Sequence, residues 1–273
     1  PARLVAGPQA TLEDVQVVRE ELGLDKPIHE QYITYVTGLL KGDHGTSLRT
    51  KRPVAVEVSN RYANTAKLTL LALTWSTIVG VLLGVWSGRH RSRWQDYTGM
   101  TLAVSGISLP SFWVGFMLIM VFSVNLKWFP TTGADSLKSL VLPSIALGSS
   151  IAAIIARFTR SSIIEVLKDD YIRTARAKGL RERVVVWKHA FRNAMISVVT
   201  VVGLQFGFLL GGSVVTESVF AFPGLGSLLV ESVNYRDYPA IQSLILIFSL
   251  HFVVINLIVD VLYAVLNPEI QLD

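Results

Sequence analysis

Five stretches of this chain carry no charged residue, and each is long enough to cross a bilayer. Between Lys67 and Arg89 lie 21 uncharged residues, which as a helix rising 1.5 Å per residue reach about 31 Å. There are 30 between Asp96 and Lys127, 18 between Lys138 and Arg157, 24 between Arg192 and Glu217, and 22 between Asp237 and Asp260. The expected fold class is therefore an all-α membrane protein, a polytopic helical bundle with five transmembrane helices. Segment 157–192 cannot join them: it holds ten Lys or Arg, and each costs roughly 3 kcal/mol at a helix centre. It is expected to be a loop in water. Overall charge is 16% of residues, against about 25% in an ordinary globular domain. The absence of cysteine excludes a disulfide framework, a thiolate nucleophile and a Cys-ligated metal.

Basic residues orient the chain. Arg89, Arg91 and Arg93 share one loop and the ten basic residues another, while the alternate loops hold Lys127 and Lys138, or Arg236 alone. Basic loops stay cytoplasmic. Residues 90–96, 157–192 and the tail after Asp260 are thus expected inside, and 127–138, 217–237 and 1–67 outside. Two regions follow: an extracytoplasmic helical segment, 1–67, and a transmembrane domain, 68–273, with its cytoplasmic loop. The chain opens Pro1-Ala2-Arg3 with no apolar signal region, so one further span upstream, six in all, is expected. In the outer segment, Glu13 to Leu22 and His29 to Leu40 read as helices ending near Gly23 and Gly42. With nine basic and eight acidic residues that segment is no electrostatic surface for nucleic acid, so nucleic acid is not an expected partner.

Gly80, Gly84 and Gly88 recur every four residues, as do Gly203, Gly207 and Gly211. Each series places a smooth stripe on one helix face, suited either to helices of this chain or to a second membrane subunit. No Asp, Glu, Lys or Arg sits mid-span, which disfavours an ion channel or a secondary carrier. Gln205, Ser213 and Asn256 are candidate lining residues for a neutral polar translocation path, and His251 reads as a hydrogen-bonded packing residue. Ser213 with His251 is the one pairing an intramembrane serine protease could use. No metal site is expected, since His29-Glu30 has no second histidine at helical spacing.

The basic loop is organised. Ser162 and Glu165 have capping-box spacing for a helix through Lys168. Asp169-Asp170 can cap a second helix, Tyr171 to Lys178, that Gly179 ends, and a third stretch starts at Arg181. A short capped helix exposing Arg173, Arg176 and Lys178 suits docking of a cytosolic protein better than contact with lipid or RNA, which would need neither cap nor glycine stop.

These residues resemble the inner-membrane permease subunits of binding-protein-dependent ABC importers, in the dipeptide, oligopeptide, nickel and glutathione group. The likeness lies in Asp170-Tyr171-Ile172-Arg173-Thr174-Ala175-Arg176-Ala177-Lys178-Gly179-Leu180, then His189-Ala190-Phe191-Arg192-Asn193-Ala194, with Ala175 and Gly179 on the family's signature alanine and glycine. It extends to Gly42-Asp43-His44-Gly45-Thr46-Ser47, Ser108-Leu109-Pro110-Ser111-Phe112-Trp113, Glu217-Ser218-Val219-Phe220, Phe222-Pro223-Gly224-Leu225-Gly226 and Asp237-Tyr238-Pro239. Ala103 to Ser108 and Ala156 to Ser162 are most similar to glutathione importer permeases. Ser197 departs from the family, which usually has proline there.

The resemblance implies the type I ABC importer permease fold, lodged in the bacterial inner membrane, and a transport subunit rather than an enzyme. It implies that Asp170, Tyr171, Arg173, Thr174, Ala175, Arg176, Ala177, Lys178 and Gly179 couple to an ATPase. Partners would be a second homologous permease, two cytosolic ATPase subunits, a periplasmic or lipoprotein solute-binding protein and the lipid bilayer. No Gly-x-x-x-x-Gly-Lys-Ser/Thr run occurs, so no cofactor is expected on this chain, and ATP and Mg would be held by the partner ATPases. Glu217, Phe220, Phe222 and Pro223 would form a periplasmic gate or a binding-protein contact.

Overall fold

The structure, a computed structural model, describes residues 2–7 and 9–266, and among these the backbone is helical apart from turns and one antiparallel bridge, Thr46 to Pro53. Three short helices come first: α1 (Ala2–Ala6), α2 (Leu12–Glu21) and α3 (Ile28–Leu40). Thr11 opens α2 with a capping box. Its hydroxyl accepts the Asp14 N–H at 3.2 Å while the Asp14 carboxylate accepts the Thr11 N–H at 2.9 Å. Neither α2 nor α3 buries a residue.

Then α4 (Val54–Arg89) begins after Pro53 and runs for 36 residues, about 54 Å. It is followed by α5 (Trp94–Ser108) and α6 (Ser111–Leu118), which continues as π-helical Ile119–Asn125. The 30-residue uncharged run is therefore not one straight helix: its halves meet at 100°. Pro110 favours the break, because its ring disfavours helical backbone at the preceding residue, and Leu109 stands extended at ψ 126. After α7 (Leu137–Val166) comes α8 (Asp170–Ala177), then α9 (Glu182–Val184), π-helical Val185–Ala190, α10 (Phe191–Val219), α11 (Leu225–Asn234) and α12 (Tyr238–Leu266). Four spans, in α4, α7, α10 and α12, are long and apolar enough to cross a membrane, and the bent pair makes a fifth if it is one span. The tail beyond Leu266 lies outside the described residues.

One sequence expectation fails inside α7. That helix passes unbroken through Ser162 and Glu165, so no capping box forms there, and residues 157–166 extend the helix instead of opening a loop. Tertiary packing decides this, since Ile163 is fully buried and sits where a Cβ on Gly88 would touch it at 2.9 Å.

The core is the seam between α4 and α7. A Cβ on Gly80 would lie 2.7 Å from the Ala152 carbonyl, and one on Gly84 would lie 2.6 Å from the Ala156 carbonyl and 2.5 Å from Thr159 Cβ. On the other helix Gly148 admits the Trp75 ring, whose Nε1–H donates to the Ser144 carbonyl at 2.8 Å. The first glycine stripe thus packs within the chain. The second divides: Gly203 and Gly207 meet Val259 and Phe252 of α12, while Gly211 faces open space.

Gly84→Ala should therefore force α4 from α7 and destabilise the fold by about 1–3 kcal/mol, the usual range for overpacking. Gly211→Ala should not. Thermal unfolding in detergent, followed by tryptophan fluorescence, checks this, and equal midpoints for the two variants would contradict the seam.

Candidate functional site

Helix α8 is a handle at the end of α7. Its N-cap is Asp169 and its C-cap Lys178, as the sequence suggests, although Asp169 caps by backbone conformation and not through its side chain. Gly179 follows at φ +76, a conformation that L side chains resist. The helix is amphipathic. Ile172 and Ala175 are buried against Val185 and Ala190 of the π-helical lead into α10. Asp170, Arg173, Thr174, Arg176, Ala177, Lys178 and Gly179 are exposed.

Two side-chain bonds fix the handle. Asn193, at the foot of α10, donates from Nδ2 to the Tyr171 hydroxyl at 2.7 Å. Partial burial pushes the Tyr171 phenol above its ordinary pKa. Arg176 grips Glu182 through Nε at 3.2 Å and Nη2 at 2.8 Å. The first bond leads to α10 and the second to α9, which runs on through the π-helical segment into α10, so α8 is braced on the helices that follow it as well as joined to the one before. The pair Arg173 to Asp170, at 3.2 Å, is 80% and 92% exposed and adds little.

The far end of the bundle is knotted around Glu217, whose side chain is wholly buried. Its carboxylate accepts the Thr65 hydroxyl of α4 at 2.7 Å and the Ser227 N–H of α11 at 3.0 Å, with further hydrogen bonds from the Gly226 N–H and Ser213. Thr65 Oγ1 in turn accepts the Leu225 N–H at 2.8 Å, and Asn64 Nδ2 donates to the Pro223 carbonyl at 2.9 Å. An anionic group at a helix N-terminus is favoured by the unpaired N–H groups and by the dipole. Here three successive N–H groups of α11 are taken up by α4 and α10. The glycines of this segment are needed for space: a Cβ on Gly224 would strike the Glu217 carboxyl, and one on Gly226 would lie 2.5 Å from Val214 Cα.

A second knot lies nearby. The Asp237 carboxylate accepts the Ser47 hydroxyl and the Leu48 N–H, the latter at 3.1 Å, and the Ser243 hydroxyl donates to the His44 carbonyl at 3.0 Å. Beside it Glu231 meets Arg49 at 3.0 Å and Arg61 at 3.3 Å. Partial burial opposes ionisation of Glu231, but these two arginines outweigh it and hold its pKa below the ordinary range.

The remaining predicted residues are not gathered in one place. Gln205 and Asn256 are half-buried on α10 and α12, with Asn256 beside Gly207. Ser213 belongs to the Glu217 knot. His251 is engaged on both ring nitrogens, with the Ile247 carbonyl at 2.7 Å and the Tyr62 hydroxyl at 2.6 Å, so it cannot serve Ser213 as a base. Glu217, Phe220 and Phe222 are each at most 2% exposed, which removes them as direct contacts of a binding protein, and Pro223 is half-buried. The sequence reading missed Thr65, Asp96, Arg160 and Asn193. Asp96 was visible only as the edge of an uncharged run, yet it is 3% exposed and accepts Arg160 Nη2 at 2.7 Å.

A family model described as "binding-protein-dependent transport system inner membrane component" matches residues 80–272, and a companion for the N-terminal part of such components matches 1–69. The chain belongs to this family. It is 55% identical over 271 residues to the glutathione transport system permease protein GsiC of Salmonella typhi and of Escherichia coli K12, covering 99% of this chain and 89% of each relative. A chain of the inward-facing MetNI methionine ABC transporter superposes with a TM-score of 0.67 at 18% identity, over 77% of this chain and 96% of that one. A chain of an amino acid ABC transporter solved with histidines gives 0.61 at 17%, over 76% and 92%. The fold is that of the type I importer permeases, and the protein is a permease subunit of an inner-membrane ABC importer.

Removing the Glu217 carboxylate from this permease leaves buried N–H groups of α11 without an acceptor, at about 1–3 kcal/mol for each orphaned group. Glu217→Ala should lower the thermal midpoint of the detergent-solubilised protein well below that of Glu217→Gln, whose amide oxygen can still accept. Equal midpoints would show that the knot is not held by this acceptor.

Proposed function

We propose that this permease is one half of a translocation path, paired with a second homologous permease and worked by two ATPase subunits that grip α8. The single observation that carries this reading is the handle: an amphipathic helix, buried on one face, braced to α10 at one end and to α9 at the other, and left with an exposed polar face. Energy enters from outside the chain, since it has no phosphate-cradling loop of its own. ATP and Mg sit on the partners, which close on ATP and move α8 with the helices fastened to it as a rigid body. Driving a path from 1:99 to 99:1 between its two openings needs about 5.5 kcal/mol of differential binding, and a braced helix can transmit that where a slack loop could not.

In this reading the end carrying α8 faces the cytoplasm, as the basic residues there require, and the Glu217 end faces outward toward a solute-binding protein. Phe220, Phe222 and Pro223, folded over the Glu217 knot, act on the outer gate from within. The solute is a peptide-like molecule, glutathione first, because the relatives at 55% identity are named as glutathione permeases. Gln205 and Asn256 supply neutral polar groups within the uncharged stretches of α10 and α12, suited to a hydrophilic solute that must pass without being held.

In the assembled complex, Arg176→Glu and Gly179→Asp should leave membrane insertion intact but cut uptake at least tenfold relative to ATP hydrolysis. A Cβ at Gly179 meets nothing within 4 Å, so a lesion there reports backbone strain or a partner and not an internal clash. Unchanged uptake in both variants, with normal ATPase stimulation, would overturn the coupling role.

A further inference from the structure

The turn that joins α4 to α5 holds charge and aromatic surface outside the coupling and gating residues described above. Arg89, Arg91 and Arg93 are exposed, and among the described residues none of them comes within ion-pair distance of a carboxylate, although Arg89 acts at longer range on Glu182 and Arg91 on Asp96. The nearest carboxylate in sequence, Asp96, is taken by Arg160. Beside the arginines Trp86 and Trp94 meet edge to face, with ring centroids 6.2 Å apart and planes at 83°. Trp94 and Tyr97 are each 67% exposed.

This turn is built. Ser92 stands at φ 61 and donates its N–H to Asp96 at 2.9 Å. The Arg93 N–H closes on the His90 carbonyl at 3.0 Å, and His90 Nδ1 lies 2.8 Å from the Trp86 carbonyl. Charge alone would suffice to orient a span, and it needs no fixed backbone. A locked turn that sets exposed guanidinium groups beside exposed indole rings is suited to recognition.

Depth identifies its occupant. The uncharged run of α4 ends at Gly88, so Arg89, Arg91 and Arg93 emerge at the level of lipid headgroups, and tryptophan and tyrosine favour the same boundary. Guanidinium binds phosphate oxygens in a fork. We propose that the α4–α5 turn docks an anionic phospholipid, its phosphodiester against Arg89, Arg91 and Arg93 and its acyl chains along Trp86, Trp94 and Tyr97. The proposal rests on the membrane placement of α4, and on the cytoplasmic side only for the choice of leaflet.

The test uses the whole complex, purified from vesicles containing equal phosphatidylglycerol and phosphatidylcholine, with retained lipid read by native mass spectrometry. The wild type should keep phosphatidylglycerol in preference. Each basic residue near an anionic surface is worth about fivefold in binding, so Arg91→Gln/Arg93→Gln should lower that retention about twenty-fivefold. Arg91→Lys/Arg93→Lys, which keeps the charge and loses the fork, should fall between. Millimolar inorganic phosphate should leave the retained lipid in place. Equal retention of both lipids, or retention unchanged in the glutamine variant, would overturn the proposal, as would displacement by phosphate, which marks a free-anion site, or a cross-link from this turn to a partner protein. Because the chain has no cysteine, Ser92→Cys labelled from each side of the membrane tests orientation separately. Labelling only from outside would refute the direction of transport proposed above without changing the lipid readout.

Discussion

Everything in this fold hangs on how closely α4 and α7 approach. Between helices in a membrane there is no hydrophobic gain from burying one apolar side chain against another, because lipid is as apolar as leucine. Association must come from close backbone packing and from hydrogen bonds. The seam uses both: Gly80, Gly84 and Gly88 bring α4 onto the backbone of α7, and Trp75 reaches the Ser144 carbonyl over Gly148. A helix of 36 residues fixed in this way becomes a strut. Thr65 in its N-terminal half holds the Glu217 knot, and Gly88 at its other end packs on Ile163, three residues before α7 stops.

That strut gives the two ends of the molecule a common frame. At one end α10 and α11 are tied to α4 through Glu217 and Thr65; at the other α8 is tied to α10 through Asn193 and to α9 through Glu182. Helix α10 therefore carries both fastenings. Movement imposed on α8 enters α10 directly and reaches the residues around Ser213 and Glu217 through one continuous helix. The Asp96 to Arg160 pair, set between α5 and α7, keeps the first bend of the chain attached to the same frame. With the Asp96 side chain buried, such a pair specifies position more than it adds stability.

Much of this was legible in the sequence. The uncharged runs located the spans because charge is costly at a helix centre, and Asp169 and Gly179 marked the ends of α8 because caps and positive φ select those residue types. The glycine stripe at Gly80, Gly84 and Gly88 showed that something packs there, though not that α7 is the partner. The break at Pro110 was present in the letters too, but the length of the uncharged run around it argued for a single span. Ser162 and Glu165 mislead in the opposite direction: a local capping pattern lost to burial of Ile163. Glu217 and Asp237 read as outer-loop residues because acidic side chains usually face water. Their acceptors' partners, Thr65 and Ser47, lie 152 and 190 residues away, and no local rule connects residues so distant. The motif around Gly45 and Ser47 and the one around Asp237 and Pro239 prove to be two halves of one contact.

The central claim is that α8 is the point where force enters. With no native cysteine to remove, Thr174→Cys places a single thiol on the exposed face of α8, and cross-linking in the assembled transporter reads its neighbour. The account predicts a disulfide-length cross-link to a nucleotide-hydrolysing subunit, both without nucleotide and with ATP bound. A thiol that never reaches such a subunit, or one that reacts with impermeant reagent from outside the membrane, would contradict it.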